Sequence, residues 1–146
     1  MPKAYASTVI DAPADKVWAA IRDFNGLPVW HGGLVARSEI EDGKAGDQVG
    51  GVRNFYLQDG AHIRERLLAF SDIERSYTYN FELKPFDVEN YCATIRVTPV
   101  TDGDRSFVEW WTTFDCAPAK SAEWIQFFST AVFKGGLEAL RKHLGA

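Results

Sequence analysis

From Leu34 to Asp115 apolar and polar residues alternate with a period of two, in runs of roughly eight to eleven residues separated by turn chemistry. The pattern predicts strands from Leu34 to Glu41, Gln48 to Leu57, Ala61 to Ser71, Glu74 to Leu83, Tyr91 to Val100 and Ser106 to Asp115. Asp42-Gly43, Asp59-Gly60 and Asp102-Gly103 supply hairpin-type pairs, because glycine accepts the positive φ that tight antiparallel turns require. Tyr77, Tyr79, Phe81 and Leu83 alternate with polar residues, as do Tyr91, Ala93, Ile95 and Val97, and then Val108, Trp110, Thr112 and Phe114. These sets predict one apolar sheet face, with Phe107 and Trp111 left on the opposite face for a loop or partner to cover.

The flanks change period. Thr8-Val9-Ile10 belongs to an N-terminal strand, and Pro13 suits the first turn of a helix running to about Asp23, with Val17, Trp18 and Ile21 on one side. Asn25-Gly26-Leu27-Pro28 breaks that helix, and Val29-Trp30-His31 forms a second short turn before Gly32-Gly33. After Ala117-Pro118, helical spacing of Trp124, Phe127, Phe128, Ala131, Val132, Leu137, Leu140 and Leu144 predicts a long helix ending at Gly145. Gly135-Gly136 inside it costs about 2 kcal/mol relative to two alanines. That cost implies a bend around the sheet, or a close approach by a strand, a ligand or a second subunit.

The expected fold is therefore α+β: a curved antiparallel sheet of six to seven strands wrapped around a long C-terminal helix, with two short helices after the first strand, in one domain spanning residues 1–146. One helix is too narrow to fill so wide a concave face, so a cavity is expected between them.

A net charge of -4 gives no broad positive field, which argues against nucleic acid as a partner. Every apolar run is interrupted well before the roughly eighteen residues of a membrane span, and the N-terminal residues lack the apolar stretch of a secretory signal. The expectation is a cytoplasmic protein without stable membrane insertion, as a monomer or homodimer. Cys92 and Cys116 form no CxxC and read as small buried hydrophobes, and His31, His62 and His143 lack metal-binding spacing, so no metal or cofactor is expected.

Several segments together carry a family resemblance: Ala12-Pro13-Ala14-Asp15-Lys16-Val17-Trp18, Leu27-Pro28-Val29-Trp30-His31, Gly51-Val52-Arg53, Arg64-Glu65-Arg66-Leu67-Leu68, Ala93-Thr94-Ile95-Arg96-Val97, and Val108-Glu109-Trp110 leading to Phe114-Asp115. The chain resembles the SRPBCC superfamily of START-like helix-grip proteins, and within it the polyketide cyclase/dehydrase-like branch, over nearly its whole length. Gly32 stands where members of that family commonly carry proline. The resemblance implies the helix-grip fold and a scaffold that hosts lipid carriers, hormone receptors, cyclases and chaperone cofactors, so function has to be read from the site.

Strand parity can place Arg53 and Glu65 on the inner face of neighbouring strands. One reading makes Arg53 the anchor of a polar ligand head; the other makes the two residues a structural ion pair. Around them, Trp30, Phe55, Leu67, Tyr77, Tyr79, Phe81, Tyr91, Trp110 and Phe128 are the candidate ligand-binding residues. The expected function is binding of a small, largely hydrophobic molecule such as a lipid or polyketide. A cyclase or dehydratase using His31 or Glu65 for proton transfer is the enzymatic alternative, since no triad, phosphate loop or dinucleotide fingerprint is present. A protein-interaction module with a filled core, displaying Phe107 and Trp111, is the third.

Overall fold

The computed structural model describes residues 1–146. Strand β1 (Lys3–Ile10) leads into helices α1 (Ala14–Ile21) and α2 (Leu27–Trp30). Strands β2 (Val35–Ile40), β3 (Val52–Leu57), β4 (His62–Ser71), β5 (Ser76–Leu83), β6 (Glu89–Val100) and β7 (Arg105–Asp115) follow. The chain closes with helix α3, residues 121–144. All seven strands form one antiparallel sheet in the order β1-β7-β6-β5-β4-β3-β2, so β1 pairs with the last strand and β2 forms the far edge. This is the helix-grip arrangement, with α3 lying in the concave face.

Local chemistry accounts for the ends. Pro13 precedes α1 with φ -59, where its missing N–H costs nothing. Asp15 in the first turn complements the helix dipole and meets Arg75 at 2.8 Å. At the C-terminus Gly145 adopts φ 70, returning the chain in the left-handed conformation that closes a helix.

The strand boundaries shift where pairing stops. Asp42 and Gly43 both have positive φ, as a tight turn needs, but the chain then runs on until Gly50 and Gly51 bond to Leu67, and β3 begins at Val52 rather than Gln48. That segment is held by the Phe24 N–H, which donates to the Gly46 carbonyl at 2.8 Å. Leu83, expected inside, is 42% exposed. A bulge between Arg64 and Glu65 pairs Leu83 with Arg64, and directly paired residues share a face, so Leu83 points outward.

Cys92 is exposed and Cys116 half-buried, correcting the expectation of two buried thiols: Cys92 falls on the convex side with Thr94 and Arg96. On that same side Trp111 is half-buried, with the Lys3 ammonium 6.0 Å and the Arg96 guanidinium 5.8 Å from its ring, so the chain's own cations cover much of it.

Helix α3 is not uniformly α-helical. Ser121–Phe127 and Gly135–Leu144 are α-helical, but Phe128–Lys134 is π-helical, with the Gly135 N–H donating to the Thr130 carbonyl five residues back. At Gly136 the close approach by a strand is present, through Trp110 of β7. A Cβ on Gly136 would lie 2.5 Å from Trp110 Cζ3, whereas one on Gly135 would meet only the Thr130 carbonyl at 3.6 Å.

Candidate functional site

The concave face has a solid end and an open end. At the solid end Trp18, Phe24 and Tyr77 pack edge to face or tilted, with centroids 5.5 to 6.1 Å apart, and Leu67 is fully buried. At the open end a cavity of about 400 Å³ lies between β3 to β7 and the first half of α3. Its rim is formed by exposed residues: Leu34, Asp59 in the β3–β4 turn, Pro85 in the β5–β6 loop, and Ala131. Its floor is the Arg53–Glu65 pair, 1% and 5% exposed. Sixteen of its 21 lining residues are hydrophobic, so water gains few partners there and an apolar occupant loses little on entry.

Of the residues singled out in the sequence, Arg53, Phe55, Glu65, Tyr79, Phe81, Tyr91, Trp110 and Phe128 line this cavity, together with His31. Trp30, Leu67 and Tyr77 do not. Leu67 and Tyr77 face inward as alternation requires, but lie where α1 and Phe24 already fill the space, and Trp30 packs 6.1 Å from Trp110 outside the lining. Sequence reasoning missed Phe86 in the β5–β6 loop, which lines the cavity 5.7 Å from Phe81 and 5.6 Å from Phe128. It also missed Ile63, the inner-face neighbour two residues before Glu65, which the β4 alternation could have identified.

Arg53 and Glu65 stand directly opposite each other on β3 and β4. Arg53 Nε donates to Glu65 Oε1 at 2.8 Å and Nη2 lies 2.7 Å from the same oxygen, while Nη1 donates to the Phe24 carbonyl at 3.1 Å. Every guanidinium nitrogen therefore has a protein partner. The guanidinium also lies 4.0 Å from the Phe24 ring centre and 4.8 Å from that of Tyr79. Burial raises the Glu65 pKa above the usual carboxylate value, opposed by the Arg53 charge. Burial also lowers the affinity of Arg53 for its proton, but the Glu65 carboxylate together with the Tyr77 and Tyr79 hydroxyls more than offsets this and holds the guanidinium charged. Trp110 Nε1 donates to the Tyr79 hydroxyl at 3.0 Å. Burial first, and then the nearby Glu65 charge, keep the Tyr79 phenol protonated.

His31 sits at the cavity wall, stacked on Trp30 with centroids 5.4 Å apart. Burial lowers its pKa, and no charge or hydrogen bond offsets the effect, so no carboxylate orients the ring as a catalytic base would need. The neighbouring turn is constrained. Gln58 Nε2 donates to the Gly32 carbonyl at 2.9 Å, and a Cβ on Gly32 would lie 2.7 Å from the Pro28 carbonyl oxygen.

A histidine with a depressed folded-state pKa binds its proton more readily when unfolded, so it lowers stability as pH falls below its ordinary value of about 6.5. Urea unfolding of His31→Gln between about pH 7.5 and about pH 5.5 is expected to give a flatter pH dependence than the parent. Parallel curves for the two proteins would remove His31 as the source.

Fold and cavity together define a helix-grip protein with an apolar chamber closed by a buried ion pair. The family model described as "Polyketide cyclase / dehydrase and lipid transport" matches residues 1–145, and the chain belongs to that family. Comparison with curated protein sequences gives no match. Among solved structures, an uncharacterized protein of Bacillus thuringiensis is 34% identical with a TM-score of 0.86, covering 99% of each chain. The protein XoxI of Bacillus cereus is 36% identical with a TM-score of 0.85, covering 97% of this chain and 94% of its own. Norcoclaurine synthase of Thalictrum, solved as a point mutant with a transition state analogue, shares the fold at 18% identity and a TM-score of 0.76, with coverage of 98% and 94%.

Proposed function

We propose that this protein binds a small, largely hydrophobic molecule in the chamber between the sheet and α3. The observation that carries the reading is the chamber itself: about 400 Å³, walled mainly by aromatic and aliphatic side chains, in a domain whose other end is packed solid. Ligand pockets typically occupy about 300 to 1,000 Å³, so the space suits a compact molecule of one to three rings or a short acyl chain. Family membership supports the same class of ligand, since its description includes lipid transport. A core filled by its own side chains would leave no such space, which sets the interaction-module reading behind this one.

Native mass spectrometry of freshly purified protein, compared with its denatured mass, is the direct test. A reproducible adduct that disappears on denaturation is expected. Ile63→Trp narrows the chamber from β4, and it is expected to abolish the adduct while leaving the thermal midpoint within a few degrees. An adduct unchanged in Ile63→Trp would place the bound molecule elsewhere and overturn the reading.

A further inference from the structure

The chamber's floor selects what an occupant carries at its inner end. Both contacts from Arg53 to Glu65 use Oε1, and Oε2 has no protein partner. Glu65 itself lines the chamber, so the unpaired Oε2 is an unused acceptor at the chamber's floor. Arg53, the obvious anchor for an acidic ligand, already turns Nε and Nη2 to Glu65 Oε1 and Nη1 to the Phe24 carbonyl, so its charge is balanced by Glu65.

We infer that the ligand of this chamber is a neutral, mainly apolar molecule with a hydroxyl group at its buried end, phenol or alcohol, donating a hydrogen bond to Glu65 Oε2. This deepens the binding reading above and rests on it. The argument is one of charge balance. The Arg53–Glu65 pair is neutral as a unit, so a carboxylate entering beside it adds an uncompensated buried anion next to Glu65. An ammonium adds an uncompensated buried cation near Arg53. A hydroxyl adds no charge and gives the free oxygen the donor it lacks. Tyr79 and Tyr91 also line the chamber, and burial together with nearby ionisable groups keeps both phenols protonated. A ligand hydroxyl, unlike an ammonium, also retains a lone pair that such phenols can serve.

The test uses four probes with one bicyclic skeleton, titrated calorimetrically at neutral pH into the full chain after removal of copurified apolar material. They are naphthol, methoxynaphthalene, naphthoate and naphthylmethylammonium. Naphthol is expected to bind at least about tenfold more tightly than methoxynaphthalene, which keeps the oxygen and loses the donor; the two ions are expected to bind more weakly than either. The doubly substituted Arg53→Met, Glu65→Met protein, whose apolar replacements leave no stranded charge, is expected to bind naphthol and methoxynaphthalene equally. Equal binding of those two by the parent protein, or tighter binding of either ion, overturns the hydroxyl inference and leaves the binding reading standing. A persistent naphthol preference in the double variant also overturns it, by showing that another group makes the selection. Failure of all four probes to bind removes the binding reading and this inference with it.

Discussion

Replacing Arg53 alone by methionine is expected to destabilise the fold by about 3–5 kcal/mol at neutral pH, the usual cost of stranding one member of a buried ion pair. The reason lies in the surroundings of Glu65: it is 5% exposed, and its one charged partner is the guanidinium 2.7 Å away. Without Arg53, burial raises the Glu65 pKa unopposed. A carboxyl group with a folded-state pKa above its unfolded value costs stability as pH rises through the window between the two. The deficit of Arg53→Met is therefore expected to shrink as pH falls toward about 4.5, where the unfolded carboxyl also takes up its proton.

Glu65→Met behaves differently. It strands a guanidinium that stays protonated at any accessible pH, so its deficit is expected to be of similar size but nearly independent of pH. The double replacement is expected to recover most of the stability, since methionine fills both sites without a charge to desolvate. Urea unfolding of the three variants at several pH values separates these cases. A double variant as unstable as the sum of the singles would mean that the pair contributes net stability rather than compensating for its own burial.

Opposite effects are expected at the two adjacent glycines of α3. Exchanging glycine for alanine inside a helix ordinarily stabilises by about 0.5–1 kcal/mol, and Gly135→Ala is expected to follow that rule because its new Cβ meets only ordinary contact distance. Gly136→Ala is expected to destabilise by about 1–3 kcal/mol despite the same gain in helix propensity. Its Cβ would lie 2.5 Å from Trp110 Cζ3 and within 3.4 Å of two further ring carbons. The indole has little room to retreat. It stacks on Phe133 with centroids 5.2 Å apart, neighbours Trp30 at 6.1 Å, and is tethered to the Tyr79 hydroxyl through Nε1. Any displacement would also move a chamber wall, so Gly136→Ala is expected to weaken ligand binding more than its stability loss alone predicts. Thermal unfolding of the two variants decides the point, and a shared direction of change would show that Trp110 yields.

Period-two alternation, turn pairs such as Asp102-Gly103, and the helical spacing of Phe128, Leu137 and Leu140 were enough to determine a curved antiparallel sheet gripping a C-terminal helix, because they act within a few residues of chain. The same parity was enough to bring Arg53 and Glu65 to one face. Tertiary structure decided the rest. A bulge turned Leu83 outward by pairing it with Arg64, and bulges follow from how two strands meet rather than from either strand's alternation. Phe86 reaches the chamber from a loop without periodicity, held there by Phe81, Phe127 and Phe128. Tyr77 and Phe81 have the same parity on β5, yet one lies in solid packing and the other against open space. Whether a concave face is filled depends on the summed volume of side chains from α1, the sheet, the loops and α3, and no local pattern in the chain encodes that sum. Which oxygen of Glu65 Arg53 contacts is likewise a matter of how two side chains meet in three dimensions.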